Sequence, residues 1–258
     1  STSDRLLSSL TLADLPPHKI DGLLGLVSHL GPEGSGMGYA FRDWSREGNL
    51  LEAFPERTFG PILATQYTVA GGVLKMSAQM GPLGAHDSRT ATLEVRAPGG
   101  HWRERATAGL EDHVFLFRVE GWDATRDWEY RVRYRLRGPG GSESWSSWKG
   151  KVPAEPDDGE VVLASLNCVK HYVGDLAWNG NSIWFPHAEV VEHVTAQEPD
   201  MLYFAGDQLY EGDLDPVDAR SIEKLQLDYL YKWSRWCWSF RDLTRDLPTV
   251  TIPDDHDV

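Results

Sequence analysis

The spacing of hydrophobic and polar positions changes twice along the chain. Residues 1–60 are poorly patterned. A short helix over Ile20–Leu30 is the one element suggested there, and Gly22 and Gly25 weaken it. Between residues 61 and 153 the period becomes two. Trp128 to Leu136 alternates apolar and polar without a break, the signature of a strand with one buried face. Thr90 to Val95, Val114 to Val119 and Trp145 to Val152 read as further strands, separated by turn formers such as Pro98-Gly99-Gly100 and Gly138-Pro139-Gly140-Gly141. Short strands at this spacing predict an antiparallel β-sandwich. Lys151 to Gly159, with Pro153, Pro156 and Asp157-Asp158, reads as a linker.

Residues 160–258 follow a third rhythm. Val161-Val162-Leu163-Ala164 is a continuous apolar run, as expected of a strand covered on both faces. His187 to Gln197 predicts a helix and Met201 to Ala205 a second buried strand. Asp215-Pro216 has the form of a helix start. Its apolar stripe runs Ile222, Leu225, Tyr229, Trp233, Trp236, Phe240, Leu243, and Pro248 ends it. Thr249 to Ile252 is a third strand. This β-α-β-α-β order predicts a parallel sheet. The expected fold class is therefore α+β in two domains: an N-terminal antiparallel β-sandwich, then the first β-α-β-α-β part of an α/β domain.

Ligands of open α/β sheets bind beyond the carboxyl ends of the strands. Here the first strand runs out into Asn167-Cys168, the second into Gly206-Asp207-Gln208-Leu209-Tyr210-Glu211, and the third into Asp254-Asp255-His256-Asp257. All three exits carry potential metal ligands on one predicted edge. Carboxylates and an amide oxygen suit Mg, Mn, Ca or Fe, and a thiolate or phenolate suits ferric iron or zinc. Blander readings exist for each residue. Asp207 after a glycine is also a turn residue, Tyr210 a half-buried aromatic, and Cys168 a small buried hydrophobe. Three carboxylates around His256 are costly without a cation, which favours metal. Cys237, between Trp236 and Trp238, reads as packing, and His171, His187 and His193 as surface or capping residues. Tryptophans on alternating strand positions of the sandwich read as core.

Charge sharpens the picture. The formal net charge is -14, with 39 acidic residues against 25 basic ones. That argues against binding nucleic-acid phosphates and requires something positive beside an anionic substrate. The two cysteines make no disulfide framework. No apolar run is long enough to span a bilayer, and no signal peptide is visible at the first residues.

Gly206-Asp207-x-x-Tyr210 resembles the Gly-Asp-x-x-Tyr block of purple acid phosphatases and of the PhoD-like (alkaline phosphatase D) family. Pro253-Asp254-Asp255-His256-Asp257 resembles the Asp-Asp-His block of the latter, and Ala164 to Cys168 its Ala-Ser-Cys block with an insertion. The pair of blocks is more specific than either alone. The resemblance implies a phosphatase or phosphodiesterase with a binuclear metal centre, Fe(III) with Ca, Zn or Mn, acting on a small or polymeric phosphate ester. It implies that Asp207 bridges the metals, that Tyr210 and Cys168 (or Asn167, the insertion leaving the choice open) bind the ferric ion, and that Asp255 or Asp254 is a further ligand. His256 would stabilise the phosphate or protonate the leaving oxygen. The family's export is a further implication. Its later His and Asp ligands fall beyond Val258, so the chain reads as a fragment with half of the site. The alternative makes the sandwich a polysaccharide- or protein-binding module beside an incomplete, inactive phosphoesterase half.

Overall fold

The computed structural model describes residues 45–49, 51, 52, 60–138, 141–156, 159–170, 187–212 and 219–257. The chain divides into two units, Ser1–Pro55 and Glu56–Val258. Of the first, the described part is a turn closed by Leu51 N–H on the Gly48 carbonyl at 3.3 Å. The predicted helix at Ile20–Leu30 lies outside the described residues.

The second unit begins with seven strands: β1 (Ile62–Ala70), β2 (Val73–Met80), β3 (Thr90–Arg96), β4 (Arg103–Glu111), β5 (Val114–Glu120), β6 (Trp128–Arg137) and β7 (Glu143–Val152). They form one antiparallel sheet ordered β1-β2-β5-β4-β3-β6-β7. β4 runs beside β3 for most of its length but meets β5 only at Leu110–Glu111. The sheet therefore curls, and its two halves face each other across a core built from both, including Leu74, Met76 and Phe117 on one side and Leu93, Tyr130 and Val132 on the other. The alternation in β6 is real: Tyr130, Val132 and Tyr134 point inward while Arg131, Arg133 and Arg135 lie on the outer face. β1, β2 and β4 were not singled out from the sequence. The linker begins only after Val152, because Lys151 and Val152 still pair in β7.

Two hairpins share a two-residue turn with both central residues at positive φ. Gly71 and Gly72 (57° and 72°) join β1 to β2, and Asp112 and His113 (40° and 69°) join β4 to β5. Glycine adopts this geometry freely; for His113 it is strained.

Among the described residues there follows a three-stranded parallel sheet, β8 (Leu163–Leu166), β9 (Met201–Phe204) and β10 (Thr249–Thr251), ordered β10-β9-β8, with α1 (Ala188–Ala196) and α2 (Ile222–Thr244). Two expectations need correction. The run at Val161–Ala164 is not a strand covered on both faces. The strand lies two residues later, at the sheet edge, and Val161, Val162 and Leu163 are 61%, 49% and 52% exposed. The helix start expected at Asp215-Pro216 lies outside the described residues, and α2 as described begins at Ile222. Its N-cap is Ser221, whose hydroxyl accepts from Lys224 N–H at 3.3 Å. Ile222, at the head of the expected stripe, is exposed, and burial starts near Lys232, one turn before Trp236. Among the described residues no helix is long and apolar enough to cross a membrane.

β1 joins the two sheets into one unit. Tyr67 faces the sandwich core, whereas Leu63 and Ala64 pack with Leu202, Phe204, Trp236 and Phe240. Polar contacts reinforce the junction. Tyr130 Oη donates to the Arg245 carbonyl (2.7 Å) and Tyr67 Oη to that of Asp246 (3.0 Å). Burial pushes both phenols up, so they stay neutral donors. Gly150 is required here, because a Cβ would lie 2.5 Å from Tyr130 Oη and 2.6 Å from the Arg245 carbonyl.

Candidate metal centre

Because β8, β9 and β10 are parallel neighbours, their carboxyl ends share one edge. Past the strands the chain stays in register: Cys168 N–H donates to the Gly206 carbonyl (3.2 Å) and Val169 N–H to that of Asp207 (2.9 Å). The turn after β9 is sharp. Gly206 and Asp207 have φ of 106° and 57°, and Asp254 packs so closely on Gly206 that a Cβ there would lie 2.5 Å from its Cβ.

That turn gathers backbone donors around one carboxylate. Asp257 Oδ2 accepts from Asp207 N–H (2.6 Å) and Asp254 N–H (3.0 Å). Its Oδ1 accepts from Gln208 N–H (2.9 Å) and Leu209 N–H (3.2 Å). Successive amides turned toward one anion form a nest, and here the anion is a side chain of the neighbouring strand exit. Asp257 thus anchors the turn and has no oxygen left over. Sequence reasoning counted it only among the three carboxylates around His256 that favour a metal. The signal was present in a glycine-led turn, which frees consecutive amides, facing an acidic block.

Asp207 lies at the centre. It is 7% exposed, its Oδ2 accepts from Tyr210 Oη (3.1 Å) and lies 3.5 Å from Cys168 Sγ, and its buried Oδ1 has no hydrogen-bond partner among the described residues. Ligand atoms of Asp207, Asp255 and His256 all lie within 4.8 Å of one another. A buried carboxylate with an orphaned oxygen is costly unless a cation meets it. Among the described residues no Lys or Arg pairs with Asp207, so the donor set fits a bound metal ion. Burial, then the Cys168 and Asp207 groups bonded to it, push the Tyr210 phenol up, the direction that a cation at this point would oppose.

The remaining candidates separate. Cys168, at φ 54°, turns its thiol toward Asp207 and hydrogen-bonds Asn167 Oδ1. Asn167 is exposed and its amide nitrogen lies 3.5 Å from the Ala205 carbonyl, outside the cluster. Asp254 Oδ1 caps Asp255 N–H (2.9 Å), which starts the short 3-10 turn Asp255–Asp257. His256 lies against the Tyr210 ring with centroids 4.4 Å apart, and its Nδ1 bonds Glu211 Oε2 at 2.8 Å. That bond raises the His256 pKa and lowers that of Glu211, a partner the sequence reading also missed. His187 stands half-buried at the N-cap of α1, without a side-chain capping hydrogen bond. Its ring stacks on Phe240 at 5.3 Å, and burial lowers its pKa. His193 is exposed on α1, Cys237 is buried in the core as expected, and His171 lies outside the described residues.

No family model matches the chain, and no curated protein matches it. Among solved structures it is similar to the kinase region of twitchin from C. elegans, with 18% identity over 39% of this chain and a TM-score of 0.29. It is also similar to the chitinase ChiW from Paenibacillus sp., a multi-modular cell-surface enzyme, with 12% identity over 73% of this chain and a TM-score of 0.25. The chain spans 17% and 16% of those two chains. At these scores neither likeness carries an argument.

Proposed function

We propose that residues 160–258 are the first part of a PhoD-like metallophosphoesterase domain, preceded by a β-sandwich over residues 61–153. The observation that carries this reading is the buried, unpartnered Asp207 Oδ1 where three strand exits meet. Asp207 would hold two ions, Tyr210 and Cys168 one of them, and Asp255 the other. Cys168 is preferred to Asn167 because its sulfur is the atom turned toward Asp207. Asp255 is preferred to Asp254 because Asp254 is occupied in capping the 3-10 turn. Bound there, two ions supply positive charge for a phosphoryl group and a nucleophile near neutral pH.

The chain's own residues do the rest. Glu211 fixes the His256 ring through Nδ1 and favours its protonated form. Nε2 is then the nitrogen left to donate a proton to a leaving oxygen. Asp257 holds the Asp207 turn open without competing for the ions.

The test is metal analysis of the purified chain, with phosphomonoesterase and phosphodiesterase assays on the gene's whole product. Asp207→Asn should lose bound metal and turnover together. Unchanged metal content and unchanged turnover would sink the assignment.

One observation favours a second reading, a binding role for the sandwich. On the outer face of β3-β6-β7, Trp145 is 56% exposed, not core as expected, with the Arg133 guanidinium 4.2 Å from its ring. Trp102 lies against Arg96 and Arg131 at 4.4 and 4.5 Å. Glycan or protein binding that disappears in Trp145→Ala, with metal content unaltered, supports this role.

A further inference from the structure

We propose that the outer face of β6 and β7 binds an acidic polysaccharide, a chain of carboxylate-bearing sugar rings. The proposal rests on the second reading above, a binding role for the sandwich, and names its partner.

Strand register builds the face. Residues directly opposite each other in an antiparallel pair lie on the same side of the sheet. Arg131 stands opposite Lys149, Arg133 opposite Ser147, Arg135 opposite Trp145 and Glu129 opposite Lys151. All of them point outward, because the alternate positions Tyr130, Val132 and Tyr134 are in the core.

The charge on this face is not balanced. Glu94 of β3 serves two arginines, Arg131 through its Nε and Arg133 at 3.3 Å. Glu143 meets Arg135 at 3.3 Å, and Glu129 meets Arg96 of β3 at 2.5 Å. Lys149 is exposed, lies across from Arg131 and has no ion pair among the described residues. Like charges directly opposite each other destabilise a strand pair. A cationic surplus is therefore gathered on one face of a chain whose formal net charge is -14. An anion laid along the face offsets that repulsion.

The arrangement selects the anion. Outward residues of one strand recur about every 6.6–6.8 Å, and neighbouring strands lie about 4.8 Å apart, so the cations form a regular, open grid. Trp145 is the one apolar side chain among the outward residues of β6 and β7. A protein partner needs more apolar anchors than that, whereas a polymer of repeated rings needs one flat surface and evenly spaced cations. Trp145 is mostly exposed, and the Arg133 guanidinium braces its ring. The C–H face of a sugar can stack on it. The guanidinium forks match carboxylates. Glu129 and Glu143, set among the basic residues, accept hydrogen bonds from sugar hydroxyls. They repel a polyanion poor in hydroxyl donors, such as DNA, polyglutamate or a heavily sulfated glycan.

The experiment is calorimetry and affinity gel electrophoresis on the whole chain. A chelator is present throughout, so that an ion at the candidate metal centre plays no part. Polygalacturonate and alginate are the probes, beside dextran, dextran sulfate, poly-L-glutamate and single-stranded DNA. At least one of the two polyuronates should bind with a submillimolar Kd that weakens as salt is raised. Trp145→Ala and Lys149→Glu, both at exposed positions, should each weaken binding about tenfold with an unchanged circular dichroism spectrum. Arg118→Glu makes the same change of charge as Lys149→Glu on the outer face of β5, and should leave affinity within about twofold. The proposal is overturned if neither polyuronate binds, or if dextran sulfate, polyglutamate or DNA binds as tightly. It is also overturned if Arg118→Glu weakens binding as much as Lys149→Glu, which would show an effect of net charge alone. Binding of dextran in preference to the polyuronates, lost in Trp145→Ala, would overturn the acidic ligand while leaving the binding role of the sandwich intact.

Discussion

The outer strand β8 of the parallel sheet and the inner strand β6 of the curled sheet make opposite use of apolar residues. In β6 every second residue is apolar, and Tyr130, Val132 and Tyr134 are fully buried because the opposite half of the same sheet covers them. At β8 the run is apolar throughout, yet Val161, Val162 and Leu163 face solvent among the described residues. Alternation states which face a strand hides. A continuous run states that the strand is apolar, while its cover has to come from elsewhere in the fold. β9, one strand inward, has that cover: Leu202 and Phe204 lie between α2 and the outer side of β1.

The largest effect should therefore separate β9 from β8. Phe204→Ala should cost about 3–5 kcal/mol in chemical denaturation, whereas Leu163→Ala should cost less than about 1 kcal/mol. Equal losses would mean that the β8 run is covered in solution, and the comparison would fail. Next is Asp257→Ala, which strands three backbone donors of the turn after β9 and that of Asp254. We expect about 2–3 kcal/mol of destabilisation and loss of metal binding by plasma mass spectrometry, with Asn at this position retaining part of both. Loss of stability with metal affinity intact would separate the nest from the metal centre.

Gly150→Ala probes the junction between the sheets. The added methyl collides with Tyr130 and Arg245 and should cost about 1–3 kcal/mol. Tyr130→Phe, which removes only the hydroxyl, should fall near the lower end of that range. A neutral Gly150→Ala would show that the two sheets are not locked where β7 meets Arg245. The smallest effect is a gain. His113→Gly relaxes a positive φ and should stabilise the chain by about 0.5–1 kcal/mol, seen as a higher Tm.

Much of the candidate site was legible in the chain. Asp207, Tyr210, Cys168, Asp255 and His256 were picked out because a parallel sheet places its strand exits on one edge, and the structure brings them together. Asp257 and Glu211 were not assigned. Their roles, anchoring a turn and orienting a ring, depend on where amide groups and an imidazole point, and spacing does not encode that. The alternating strands were legible because period two needs only its own neighbours. β1 was not, since it buries one face in each of two cores and so carries no single alternation.

By itself, then, the sequence determined the alternating strands β3, β5, β6 and β7, the β-α-β-α-β order of residues 160–258, the acidic strand exits and the net charge of -14. These are properties of local pattern and of composition, which no neighbour can change. Only the tertiary structure decided that β8 lies at an edge, that burial in α2 begins near Lys232, that Gly150 must have no side chain, and that Asp207 keeps one buried oxygen without a partner among the described residues. Each of these depends on which surfaces meet. Packing and the hydrogen bonds left over from it are settled between segments far apart in the chain, and no single segment records them.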